Sequence, residues 1–74
     1  MDYLTENVAV NLKRIRQSKG MSLDQASEQT GVSKSMLSQI ENDQASPSVG
    51  TLEYLAAVLD VKLAWLLADE KEEA

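Results

Sequence analysis

The chain predicts an all-α fold, a compact five-helix bundle, on three observations. Apolar residues recur at spacings of three and four rather than two. Serines and glycines stand where such stripes begin and end, as helix caps do. No run alternates apolar and polar residues long enough to make a strand, and no internal repeat suggests a solenoid.

Leu4, Val8, Leu12 and Ile15 line one face of a first helix, which stops near Lys19-Gly20. Ser22 with Gln25 three residues on has the pattern of a capping box, so a short second helix runs to about Thr30, before Gly31. Ser33 caps a third helix over 33–42, in which only Leu37 and Ile40 are firmly apolar. Polar turn formers follow over 42–46. A fourth helix then starts at Ser46 with Pro47 in its first position, or at Ser48, and buries Leu52, Leu55, Ala56 and Leu59. Asp60-Val61 interrupts it, and a last helix over about 62–68 carries Leu63, Trp65, Leu66 and Leu67. Residues 1–68 are read as one domain and 69–74 (DEKEEA) as a frayed acidic tail or the start of a linker.

Composition removes whole classes of chemistry. There is no Cys and no His, which excludes disulfides, a thiolate nucleophile, a Cys/His zinc site and a His general base. A chain of 74 residues buries only about 60% of its unfolded surface, which leaves little stability for strained catalytic geometry. Carboxylates at Asp69, Glu70, Glu72 and Glu73 form no pocket on which to hold a metal. The expectation is a non-enzyme with no metal and no cofactor. The N-terminus lacks a signal peptide's basic and apolar regions, and the most apolar stretch, 55–68, contains Asp60 and Lys62 and is shorter than the roughly 20 residues that span a bilayer. A cytoplasmic location without a membrane segment is expected. Seven Lys and Arg against twelve Asp and Glu, net −5, argue at first sight against a nucleic-acid partner.

The third helix is where that argument is answered. At about 100° per residue, with Leu37 at 0°, the buried direction lies near 330° and the outward direction near 150°. Ser35, Ser38, Gln39 and Asn42 point outward, with Lys34 and Met36 on the flanks and Glu41 beside the buried stripe. An ordinary wet face is filled with Lys and Glu. Short hydroxyls and amides instead both donate to and accept from base edges in a major groove.

The string SLDQASEQTGVSKSMLSQIEN, then PS, TLEYLAAVLDV and AWLL, closely resembles the Cro/repressor-type (XRE-like) helix-turn-helix regulators. The likeness extends over residues 8–67 and joins caps, glycine, apolar positions and the IEN…PS…TL wording at the family spacing. It implies a lambda-repressor-like DNA-binding fold whose helix-turn-helix is formed by helices 2 and 3, with helix 3 in the major groove of double-stranded DNA. Lys34, Ser35, Ser38 and Gln39 would read bases; Ser22, Ser33, Asn42 and Ser48 would meet phosphates. Lys34 is added by the resemblance, whereas the helical angles select the rest of the reading set. Glu41 would pair with Arg16 at the end of helix 1, locking helix 3 in place. Val58, Trp65, Leu66 and Leu67 would supply a homodimer contact, which demands a near-palindromic operator.

The same resemblance implies a transcriptional regulator, most simply a repressor. Its wording is also similar to regulators with a C-terminal cupin-like sensor domain in a longer parent chain, and the fold serves antitoxins and restriction-modification controllers. The alternative is a protein-interaction module that kept the fold and lost DNA binding. Three departures matter. The usual Leu-Ala of helix 2 is Ala26-Ser27, a usual glutamine at its start is Leu23, and Gly50 weakens helix 4 by about 1 kcal/mol relative to Ala. Residues 1–20 sum to +2, whereas the acidity lies in 21–46 and 47–74, with −3 of it in the six-residue tail. Helix N-termini add partial positive charge that a count of Lys and Arg misses.

Overall fold

The computed structural model describes residues 3–68, with side chains from Glu6 onward. The predicted acidic tail 69–74 and the side chain of Leu4 lie outside the described residues. Five helices follow one another: α1 Tyr3–Ser18, α2 Leu23–Thr30, α3 Lys34–Glu41, α4 Val49–Leu59 and α5 Leu63–Leu67. No strand occurs among the described residues, and none of the helices is long and apolar enough to cross a membrane.

Serines start three of the helices. Ser22 Oγ accepts from the Gln25 amide at 3.1 Å while Gln25 Oε1 accepts from the Ser22 amide at 2.8 Å, so two of the orphan donors at this end are satisfied reciprocally. Ser33 accepts from the Met36 amide and Ser48 from the Thr51 amide, each at 3.1 Å. Of the two starts open for α4, Ser48 is therefore the cap. α5 begins after Lys62 with no side-chain cap.

Left-handed residues end four of them. Gly20 (φ 70°) and Gly31 (φ 75°) adopt this conformation without a Cβ penalty. Asp43 and Asp60, each at φ 59°, adopt it with one. After α3 the Asp43 amide donates to Ile40 O at 3.1 Å and the Gln44 amide to Gln39 O at 2.7 Å. These paired bonds are the Schellman closure, which turns the chain sharply away from the helix end. The same pairing, Asp60 to Ala57 and Val61 to Ala56, separates α4 from α5.

Val8, Leu12, Ala26, Leu37, Ile40, Leu52, Leu55, Ala56, Leu59 and Leu66 form one buried cluster to which every helix contributes. α1 packs on α3 and α5, and α4 on α2 and α5. Leu66 corrects one expectation. The family resemblance places it at a dimer contact, but its exposure is 0%; it fills the core between α1 and α4 and has no surface to offer a partner. Its neighbour Trp65 is 56% exposed, with Val58 and Leu67 half-buried. Asn11, buried on α1, donates its amide to Leu66 O at 2.9 Å and Ala68 O at 2.7 Å. A helix of five residues has mostly orphan carbonyls, and this single side chain from the far end of the sequence satisfies two of them.

Candidate nucleic-acid interface

α2, the turn and α3 are assembled by small groups. Thr30, 1% exposed, donates its hydroxyl to Ala26 O at 2.8 Å and accepts the Val32 amide at 3.1 Å. Gly31 then reverses the chain, its amide donating to Ser27 O at 2.8 Å. A β-branched residue buried in the last turn of a helix loses rotamer freedom; here its hydroxyl bonds both sides of the turn and fixes the angle at which α3 leaves α2.

α3 has two unlike sides. Leu37 and Ile40 are buried at 2% and 1% exposure. Beside them Arg16 grips Glu41: Nε donates to Oε2 at 2.7 Å and Nη2 to Oε1 at 3.0 Å, while Nη1 donates to Met21 O at 2.7 Å. One guanidinium thus joins the end of α1, the turn before α2 and the end of α3. The hydrogen bonds to Glu41 raise the Arg16 pKa above its ordinary value, and the negative charge of Glu41 adds to this, although burial acts in the opposite direction. The planar fork suits this bidentate geometry, which a lysine cannot reproduce.

On the other side Lys34, Ser35, Met36, Gln39 and Asn42 are exposed, and Ser38 is half-buried. Asn42 Nδ2 donates to Ser38 Oγ at 3.3 Å, so these two side chains already hold each other. Lys34 Nζ lies 3.3 Å from Asp24 Oδ1, with both side chains largely in solvent. That contact brings the first turn of α2 to the first turn of α3. Met36, Ser48 and Thr51 line one shallow depression, which brings the start of α4 to the same region. The capping serines 22, 33 and 48 are all exposed, and a helix start with amides open to solvent favours an anion.

α3 is thus held from behind by charge and apolar contact and presents short polar groups in front. The helix-turn-helix family model HTH_3 matches residues 12–66. The chain belongs to this family. Over 68 residues it is 41% identical to the HTH-type transcriptional regulator SutR of Escherichia coli K12, covering 92% of this chain and 38% of that protein. Over 67 residues it is 48% identical to the HTH-type transcriptional regulator SinR of Bacillus subtilis, covering 89% of this chain and 60% of that protein. The chain therefore spans between about a third and two thirds of the length of these relatives. Among solved structures, an HTH_3 family transcriptional regulator from Vibrio cholerae matches 90% of this chain and 38% of its own at TM-score 0.84 and 39% identity.

Within this HTH_3 domain, two departures have structural consequences. Ala26 is buried and Ser27 half-buried, so α2 still approaches α3 closely but contributes less apolar area to the core than a leucine would. Leu23 is half-buried and packs on the core instead of offering an amide at the start of α2.

Two residues of consequence have partners that the sequence does not name. Asp24 contacts Lys34 from ten positions away on another helix, a spacing no periodicity marks. Asn11 sits in the apolar stripe of α1 as an apparent interruption. A buried amide at a core position is the available signal, since such a group needs partners, but only the fold says which.

Proposed function

We propose that this domain is a sequence-specific regulator of transcription that acts in the cytoplasm on double-stranded DNA. α3 enters the major groove, and Lys34, Ser35, Ser38 and Gln39 meet base edges. Ser22, Ser33, Asn42 and Ser48 meet phosphates on either side. The observation that carries this reading is the two-sided α3, fixed behind by the Arg16–Glu41 fork and lined in front with exposed hydroxyl, amide and ammonium groups. Relatives over most of the chain are named as transcriptional regulators, which supports the same reading.

A net charge of −5 predicts weak non-specific binding and a shallow dependence on salt, because few counterions are released. Recognition then leans on fit and on two copies acting together. Trp65, with the half-buried Val58 and Leu67, offers the apolar surface for a homodimer, which would present two reading helices to a near-palindromic operator and repress by covering a promoter.

Selection of bound sequences from random duplex DNA at low salt tests the reading. The expected product is a motif of two related half-sites about one helical turn apart. Failure to enrich any sequence would remove DNA recognition and favour a protein partner for the acidic surface.

A further inference from the structure

Among the described residues, Asp24 is the acidic group paired with the proposed reading surface, its carboxylate 3.3 Å from Lys34 Nζ. Both side chains remain well exposed, at 75% and 58%, so the pair adds little to stability. The helix dipole alone accounts for an acidic residue in the first turn of α2, but it does not account for the placement of the carboxylate on the first turn of α3. Glu28, one turn further along the same helix, is exposed as well and has no ion pair with Lys34 among the described residues.

Resting on the DNA-binding reading above, we propose that Asp24 is a positioning residue for base discrimination and acts through Lys34. The ammonium has three donors. Paired with Asp24 by one, it keeps the others for acceptors at a base edge, such as guanine O6 and N7. A phosphate, by contrast, is drawn mainly by net charge, and the Asp24 carboxylate cancels much of the charge that Lys34 would present to it. Asp24 thus denies Lys34 to the backbone of any sequence and leaves it available to the right base. This fits a domain whose overall charge is already unfavourable to indiscriminate binding.

The test compares wild type, Asp24→Asn, Asp24→Ser and the control Glu28→Gln, which makes the same charge change one turn away. Affinity is measured for the selected operator and for an unrelated duplex across a salt series, with a thermal melt of each variant. Both Asp24 variants should bind the unrelated duplex about fivefold more tightly near 0.1 M salt and show a salt slope steeper by about one ion per bound subunit, while operator affinity changes less. The specificity ratio then falls. Glu28→Gln should leave that ratio unchanged, and Asp24→Asn in a Lys34→Ala background should have no effect on it. An equal response from Glu28→Gln, or an Asp24→Asn effect that survives loss of Lys34, would show simple charge repulsion and overturn the proposal. If only one Asp24 variant folds, that one decides it. Failure of wild type to select any duplex is a separate result, which removes the DNA reading and this inference with it.

Discussion

Among the described residues, the ion pairs Arg16–Glu41 and Lys34–Asp24 join α3 to the rest of the domain, and they differ in almost every physical respect. Arg16 and Glu41, behind the helix, are 12% and 6% exposed and meet through two hydrogen bonds. Lys34 and Asp24, in front, are 58% and 75% exposed and meet at a single 3.3 Å contact. Water screens the front pair and has been largely removed from the rear one, so the same kind of chemistry yields opposite behaviour. The rear pair is a fixed joint, costly to break; the front pair exchanges partners readily, as a group that must meet a ligand has to.

The hardest way to break that contrast is Arg16→Ala. It leaves the Glu41 carboxylate buried without a counter-charge and Met21 O without its donor, a loss on the order of 3–5 kcal/mol. A domain of this size holds only about 4–11 kcal/mol in all. The melting temperature should fall by about 12 °C or more, whereas Lys34→Ala, at the front, should cost less than about 1 kcal/mol. Circular dichroism melts of both variants check this, and equal shifts would mean that burial does not separate the two pairs. Arg16→Lys keeps the charge but loses the fork, and should fall between them.

Gln39→Ala sharpens the comparison from the front. Its amide is exposed and leaves the core untouched, so the melt should move by no more than about 0.5 kcal/mol. Discrimination at one position in each half-site should weaken by about 1–3 kcal/mol, with the other positions unchanged. Repeating the sequence selection with the variant is the measurement. A motif identical to that of wild type would take Gln39 out of the reading set.

The contrast also explains what was legible from the sequence. Helix starts were readable because a cap and its partner lie within three residues, as Ser22 and Gln25 do. The polar face of α3 was readable because helical geometry fixes which side chains turn away from Leu37 and Ile40. The Arg16 to Glu41 contact spans 25 residues; the angles place Glu41 beside the core, but only likeness to a family names its partner. Asn11 reaches Leu66 across 55 residues, and nothing local announces it. Leu66 is hard to place from sequence because a five-residue helix with three leucines and a tryptophan has no polar residue to mark its outer side. The glycine ends of α1 and α2 were visible for the reason that makes them useful, their ease at positive φ; the breaks at 42–46 and at Asp60-Val61 were also visible, but there the left-handed position carries an Asp that is merely tolerant of it.

That last point yields the smallest expected effect, at the far end of α3 from Lys34. Asp43 is left-handed at φ 59°, its Oδ1 is buried without a hydrogen-bond partner, and its carboxylate stands at the negative end of the α3 dipole. All three features oppose folding, and glycine removes all three while keeping both closing amide bonds. Against this stands the greater freedom glycine has when unfolded, worth about 0.5–1 kcal/mol. The balance should favour Asp43→Gly by up to about 1 kcal/mol, a rise of about 4 °C or more in melting temperature if the full gain is realised. Asp43→Asn separates the causes: it removes the charge but keeps a side chain at positive φ, so a gain seen only with glycine assigns the cost to the backbone, and equal gains assign it to the carboxylate. A lower melting temperature for both variants would mean that Asp43 holds the turn in place. In that case the closure of α3 would belong with the fixed rear joint rather than with the exchangeable front.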